Sequence, residues 1–163
     1  MQPTIRPLDP LSDLALVEAF NRQAADYWLL ADRAPPGPQK AADFFTDGPP
    51  GCDPARSHRL GLFAEGALVG LAELSFGFPQ PQDAYLGLMI LHPDARGRGY
   101  GRQFLGHIEG LARAEGCPRL YLAVLQENPR GRAFWEGQGF QPTGVSRLDD
   151  ETGHVVYRLV KVL

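Results

Sequence analysis

Residues 92–101 read HPDARGRGYG and follow directly on the apolar run YLGLMIL at 85–91. Three glycines and two arginines fall within 96–101. Beyond them Phe104, Ile108, Leu111 and Ala112 recur at helical spacing up to Gly116. The stretch is therefore a loop between a strand and an amphipathic helix. Glycines at 97, 99 and 101 remove Cβ atoms, so backbone N–H groups can converge on an oxyanion. The helix starting near Gly101 adds the positive end of its dipole. Arg96, Arg98 and Arg102 bring charge enough for two phosphates. No Gly-Lys-Ser/Thr occurs, so this is not a Walker loop, and GxGxxG fails from either Gly97 or Gly99. Two other readings compete: a merely tight turn, and an RGRG string of disordered RNA-binding type. The second fits poorly between ordered elements.

Working outward, RLGLFAE (59–65) and ALVGLAELSF (67–76) read as strands joined at Glu65-Gly66 by a hairpin, and AYLGLMIL (84–91) as a third. RLYLAVL (119–125) has the near-continuous apolar character of a strand covered on both faces. Asn128-Pro129 caps a helix that Gly139 stops. QPTGVSRL and HVVYRLVKVL, around the turn DDETG, close the chain as a hairpin. At the other end, TIRPL (4–8) reads as an edge strand. Asp9-Pro10 then opens a helix over roughly 11–30. A Pro/Gly-rich connection at 35–54 surrounds a short helix, QKAADFFTD, and its length marks a binding loop or lid. The order β-α-α-β-β-β-α-β-α-β-β predicts an α/β fold, a mixed sheet with helices packed on it.

At 163 residues and 44% hydrophobic, the chain suits one domain spanning 1–163. No stretch is apolar enough for a membrane span. The start MQPTIRPLDP has Pro and Asp where a signal peptide needs an apolar run, so a cytoplasmic address is expected. Net charge is −3, too mild to argue for nucleic acid. Residues 1–50 carry seven carboxylates against four basic groups, and 94–132 four against seven arginines. One end could thus take a cation and the other a polyanion. Cys52 and Cys117 show no metal or redox spacing, and the histidines form no ligand set, so no metal is expected.

The segment LGLMILHPDARGRGYGRQFLGHIEGLA, followed by LYLAVLQENPRGRAFWEGQGF, resembles the core of the GNAT superfamily of N-acetyltransferases. The likeness rests on strand, RxxGxG loop and helix, then strand, Asn and a helix ending in Gly-Phe, and covers roughly 58–162. It implies a mostly antiparallel sheet of about six or seven strands flanked by about four helices, with acetyl-CoA as co-substrate. By position, the backbone of Met89, Ile90 and Leu91 would pair with pantetheine, and the Leu91 N–H would polarise the thioester carbonyl. Arg96, Gly97, Arg98, Gly99, Tyr100, Gly101 and Arg102 would surround the pyrophosphate. Asn128 would be both cap and pantetheine contact, and Phe134 and Trp135 would line the thioester region.

The resemblance is incomplete where the acid and base belong. Trp135 stands where many members place a Tyr acid, and indole cannot titrate. Ala123 stands where some protein-acetylating members have a Glu base. Glu73 or Tyr85 could serve instead, and Glu73 as an ordinary strand-face carboxylate is the competing reading. Solvent relay also remains open, as does a non-catalytic CoA-binding sensor. Asp26, Tyr27, Trp28 and Asp32 form an aromatic pair flanked by carboxylates that would suit a small cationic amine, or simply finish a buried stripe. The expectation is acetyl transfer to a small-molecule amine by direct attack in a ternary complex. A protein N-terminus or lysine is the alternative acceptor, and a homodimer is left open.

Overall fold

In the computed structural model, which describes residues 2–163, Thr4–Pro7 forms β1 at the sheet edge. The Asp9 carboxylate accepts from the N–H groups of Leu11 and Ser12, both at 2.8 Å, and so caps a turn rather than the helix proper. The helix α1 begins five residues after Asp9, at Leu14–Gln23. The single helix expected over 11–30 is broken at Ala24, and Ala25–Asp32 is a separate helix, α2. Ala24 is a good helix former, so propensity does not cause the break. Across the break the buried Asn21 amide oxygen accepts from Trp28 Nε1 at 3.1 Å. Within the Pro/Gly-rich connection, Pro38–Thr46 forms α3, with a proline at its start where no N–H is needed.

The Glu65-Gly66 pair takes positive φ at both residues (53° and 80°), the two-residue turn that suits a twisted hairpin. It joins β2 (His58–Ala64) to β3 (Ala67–Phe76), and β4 (Ala84–Leu91) follows. Next come α4 (Tyr100–Ala114), β5 (Arg119–Leu125), α5 (Pro129–Gly137), β6 (Gln141–Leu148) and β7 (Val155–Val162). The seven strands lie in the order β1-β2-β3-β4-β5-β7-β6, antiparallel throughout except between β4 and β5.

Two apolar clusters sandwich the sheet. On one face Phe104, Leu105, Ile108 and Ala112 of α4 meet Leu62, Leu74, Leu86, Leu120 and Leu122. On the other, Val17, Phe20, Trp28, Ala41 and Phe44 of α1–α3 meet Leu71 and Ile90. The first three helices do not reach β5, so that strand is covered on one face only. Leu120, Leu122 and Val124 are buried while Ala123 is exposed, contrary to the two-sided burial its composition predicts. The uncovered area holds the site.

Candidate active site

The β4–β5 pairing lasts only three residues, Ala84–Leu86 against Leu120–Leu122. Beyond Leu86 the strands part and leave the edge of Gly87–Leu91 without a neighbour. On its other side β4 stays paired with β3, except that the register slips between Glu73 and Leu74, so Gly87 bulges. His92 donates to Val69 O at 2.8 Å, which fixes the phase of that ladder. By the alternation of an antiparallel pair, Ile90 turns its backbone groups to β3, while Met89 and Leu91 turn theirs into the gap. The backbone run expected at 89–91 is thus two residues: Ile90 is bonded to its neighbour and its side chain is buried in the α1–α3 cluster.

The gap opens onto the Gly–Arg loop. Pro93–Ala95 makes one tight turn, with His92 Nδ1 accepting from Asp94 N–H at 3.0 Å. Gly97 and Gly99 adopt φ of 76° and 82°, which side-chain-bearing residues rarely adopt, and added Cβ atoms there would meet nothing. Gly99 stands as N-cap of α4 without a side-chain cap, so the first amides of the helix face outward unpaired. Gly101 has a different role from that expected. It is buried, and a Cβ there would press on Phe134 at 3.1 Å. Arg96 also departs from the expectation: its guanidinium binds Asp26 at 2.5 and 3.3 Å and the Leu91 carbonyl at 3.1 and 3.2 Å. It braces the loop and the β4 end. Arg98 and Arg102 are exposed, and Tyr100 packs against the core.

Asn128 Oδ1 accepts from Gly131 N–H at 3.0 Å, capping α5. Phe134, Trp135 and Phe140 form an edge-on series, with centroids 5.0 and 5.5 Å apart. Trp135 therefore packs on the α4 side of the sheet. It does not line the large cavity on the other face.

That cavity, of about 970 Å³, is bounded by α2, α3, the 47–50 loop, β3, β4 and the β6–β7 pair. Glu73 forms its floor. The side chain is buried, and a Cβ on Gly87 would collide with its carboxylate. Ser75 Oγ donates to Glu73 Oε1. Arg59, the cross-strand partner of Glu73, places Nη2 at 3.7 Å from it and donates through Nη1 to the carbonyls of Phe44 and Asp47 at 2.7 and 2.5 Å. Burial pushes the Glu73 carboxyl above its ordinary range, and the Ser75 hydrogen bond and Arg59 only partly offset this. Burial likewise raises the Tyr85 phenol, against the pull of Arg158 and Arg147.

The expected acceptor cluster divides. Tyr27 lines the cavity, its phenol pushed up to about 12 by burial and by Asp32. Trp28 also lines it, but Lys40 Nζ already sits 4.6 Å over its ring and pairs with Asp32 at 2.6 Å. The cation–π site expected for an amine is filled from within. Asp26 lies outside the cavity, on Arg96. Sequence reasoning missed Arg59, Ser75, Gly87, Arg147 and Arg158. Only Gly87, a glycine inside an apolar strand, left a readable signal. Among the described residues no three His, Cys, Asp or Glu side chains converge as a metal site. No helix there is long and apolar enough to cross a membrane.

A splayed pair of parallel strands leading from a glycine loop to a buried carboxylate agrees with what the chain resembles. The model of the acetyltransferase (GNAT) family matches residues 16–140. The chain belongs to the GNAT family. Its GNAT relatives include the mycothiol acetyltransferase of Beutenbergia cavernae, 36% identical over 81 residues, half of this chain and 27% of that protein. The uncharacterized N-acetyltransferase YycN of Bacillus subtilis is 36% identical over 64 residues, 39% of this chain and 41% of that one. The match thus spans less than half the length of either relative. An acetyltransferase structure from Thermus thermophilus superposes with a TM-score of 0.78 at 26% identity, over 100% of this chain and 98% of that one. The PaiA N-acetyltransferase of Thermoplasma acidophilum, solved with coenzyme A, shares the fold at 20% identity, with a TM-score of 0.72 and full coverage of both chains.

Proposed function

We propose that this GNAT protein transfers an acetyl group from acetyl-CoA to the primary amine of a small molecule, by direct attack in a ternary complex. One observation carries the reading: the Glu73 carboxylate, buried and held above its ordinary pKa, lies over Gly87 where β4 and β5 part.

The chain's residues fit acetyl-CoA. Side chains at Gly97 and Gly99 would stand in open space, so positive φ rather than packing calls for glycine there, and the bare backbone is open to a ligand. The outward amides at the start of α4, with Arg98 and Arg102, would hold the pyrophosphate. The Met89 and Leu91 backbone would take the pantetheine amides as a missing strand. Arg96 holds the Leu91 carbonyl, leaving the Leu91 N–H to polarise a carbonyl. Asn128 spends its oxygen on the cap and keeps its NH₂ to donate. When bound, acetyl-CoA supplies a thioester that an uncharged amine can attack.

Glu73 takes the proton that an ammonium must lose. Its raised pKa favours that transfer, and Arg59 and Ser75 hold its orientation. Tyr85, which lines the same cavity, keeps its proton at neutral pH and can give it to the departing sulfur. A cavity of about 970 Å³ walled by α3 and the β6–β7 pair matches a small ligand.

Thiol release from acetyl-CoA, followed across small amines and N-terminal peptides, tests this. Turnover on small amines, reduced about 100-fold or more in Glu73→Gln, is the expected result. Turnover on peptides alone would overturn the acceptor class, and acetyl-CoA binding without turnover on any amine would overturn the enzyme.

A further inference from the structure

Two cations of the cavity neither give nor take a proton in the reaction above. Lys40 pairs with Asp32 at 2.6 Å and Arg59 with Glu73 at 3.7 Å. Arg147 on β6 and Arg158 on β7 line the opposite wall, and among the described residues neither has an ionic partner. The surplus carboxylates lie across the cavity from them, Asp43 on α3 and Asp47 just after it. Charge is therefore polarised across the space: anionic beside α3, cationic on the β6–β7 pair.

Arg158 is also pre-positioned. It pairs across β5–β7 with Ala123, so the two side chains share a face and the guanidinium lies beside the smallest residue on that strand. Its Cζ sits 5.1 Å from the Phe78 ring, and Phe78 meets Tyr85 edge-on at 5.2 Å. The series Tyr85–Phe78–Arg158 holds the fork in place next to the gap between β4 and β5. A half-buried guanidinium stacked on an aromatic ring, with no internal acceptor, is suited to a planar oxyanion.

We infer that the acceptor is an amine that also carries a carboxylate, held by Arg158 with help from Arg147 while its amine rests at Glu73. The inference deepens the acetyl-transfer reading and rests on it for the place of the amine. A diamine would have to turn its second cation to the Asp43–Asp47 side and leave the two arginines unanswered, as a neutral amide also would.

The probes are phenylalanine, phenylalaninamide and phenethylamine, which share an aromatic body and differ in the group beside the amine. With acetyl-CoA and wild-type protein, kcat/KM for the amino acid should exceed that for the amide by about 10- to 100-fold. Arg158→Met should remove the preference by raising KM for the amino acid far more than for the amide. Arg147→Met, at an exposed position, should weaken it in part and covers the case of a poorly folding Arg158 variant. Equal or better turnover of the amide or of phenethylamine would overturn the inference. Thermal stabilisation by the amino acid, measured with coenzyme A present, is read in parallel. If the amino acid stabilises wild type but not Arg158→Met while no probe is turned over, the carboxylate clamp stands and the catalytic reading fails. If it neither stabilises the protein nor reacts, the clamp is wrong.

Discussion

The Glu73 carboxylate occupies the space that a Cβ on Gly87 would fill. The bulge in β4 and the absent side chain together let a buried acid reach the point where the sheet opens. Gly87→Ala should therefore displace the carboxylate rather than unfold the strand, because φ at this glycine is not positive and needs no left-handed backbone. We expect kcat to fall about 10- to 100-fold with acetyl-CoA affinity retained, as measured by steady-state kinetics and by thermal shift with the coenzyme. A variant as fast as wild type would show that the contact is packing only.

The pH dependence follows from the same group. On the proposed mechanism ionised Glu73 is the active form, and its carboxyl is raised by burial, so the acidic limb of kcat/KM should lie on the alkaline side of the ordinary carboxylate range. Glu73 binds its proton more tightly in the folded than in the unfolded chain. Its contribution to stability is therefore full below the ordinary glutamate value and is lost as pH rises through the raised one. Glu73→Gln should abolish the limb. Ser75→Ala, which removes a hydrogen bond that lowers the pKa, should move the limb further up. The charged groups facing Glu73 are Arg59 and Asp47, and neither titrates along with it if the limb has unit slope.

Arg59 ties the 47–50 segment to the floor of the cavity through the carbonyls of Phe44 and Asp47. Arg59→Leu would strand Glu73 without its counter-charge and release that segment. A loss of about 3 kcal/mol in chemical denaturation is expected. A stability loss under about 1 kcal/mol would mean that the pair contributes no more than an exposed one.

Two glycines, one at the start of α4 and one inside it, should respond oppositely. Gly99 has φ of 82°, and a β-branched side chain there is both strained and in the way of a ligand. Gly99→Val should lower Tm and erase the stabilisation by acetyl-CoA. Gly106 sits inside α4 with nothing around its missing Cβ. Gly106→Ala should stabilise by about 0.5–1 kcal/mol and leave the coenzyme response intact. A full coenzyme response in Gly99→Val would remove the loop from the binding site.

Most strand boundaries were legible because each apolar run is punctuated by turn residues, as at Glu65-Gly66 and at Asn128-Pro129. The strand-to-helix position of the glycine loop was legible because its signals are local: consecutive glycines, one helix start, flanking apolar runs. What escaped depends on residues distant in sequence. The break at Ala24, which no local breaker residue marks, interrupts a stretch whose periodicity reads as one helix. Lys40, on the next helix, takes the Trp28 face that composition offered to a substrate. Glu73 was readable as a strand carboxylate, but its partner Arg59 faces it only through the β2–β3 register. Arg158 reaches the cavity only because β7 pairs with β5, a contact that no local pattern announces.

Consecutive residues of α2 look in different directions: Asp26 grips Arg96 beside the glycine loop, and Tyr27 lines the cavity. On the function proposed above, a donor that draws Arg96 toward itself pulls on the helix that walls the cavity offered to the acceptor. The two occupancies are then energetically linked, and whatever factor the donor applies to acceptor affinity, the acceptor returns in equal measure.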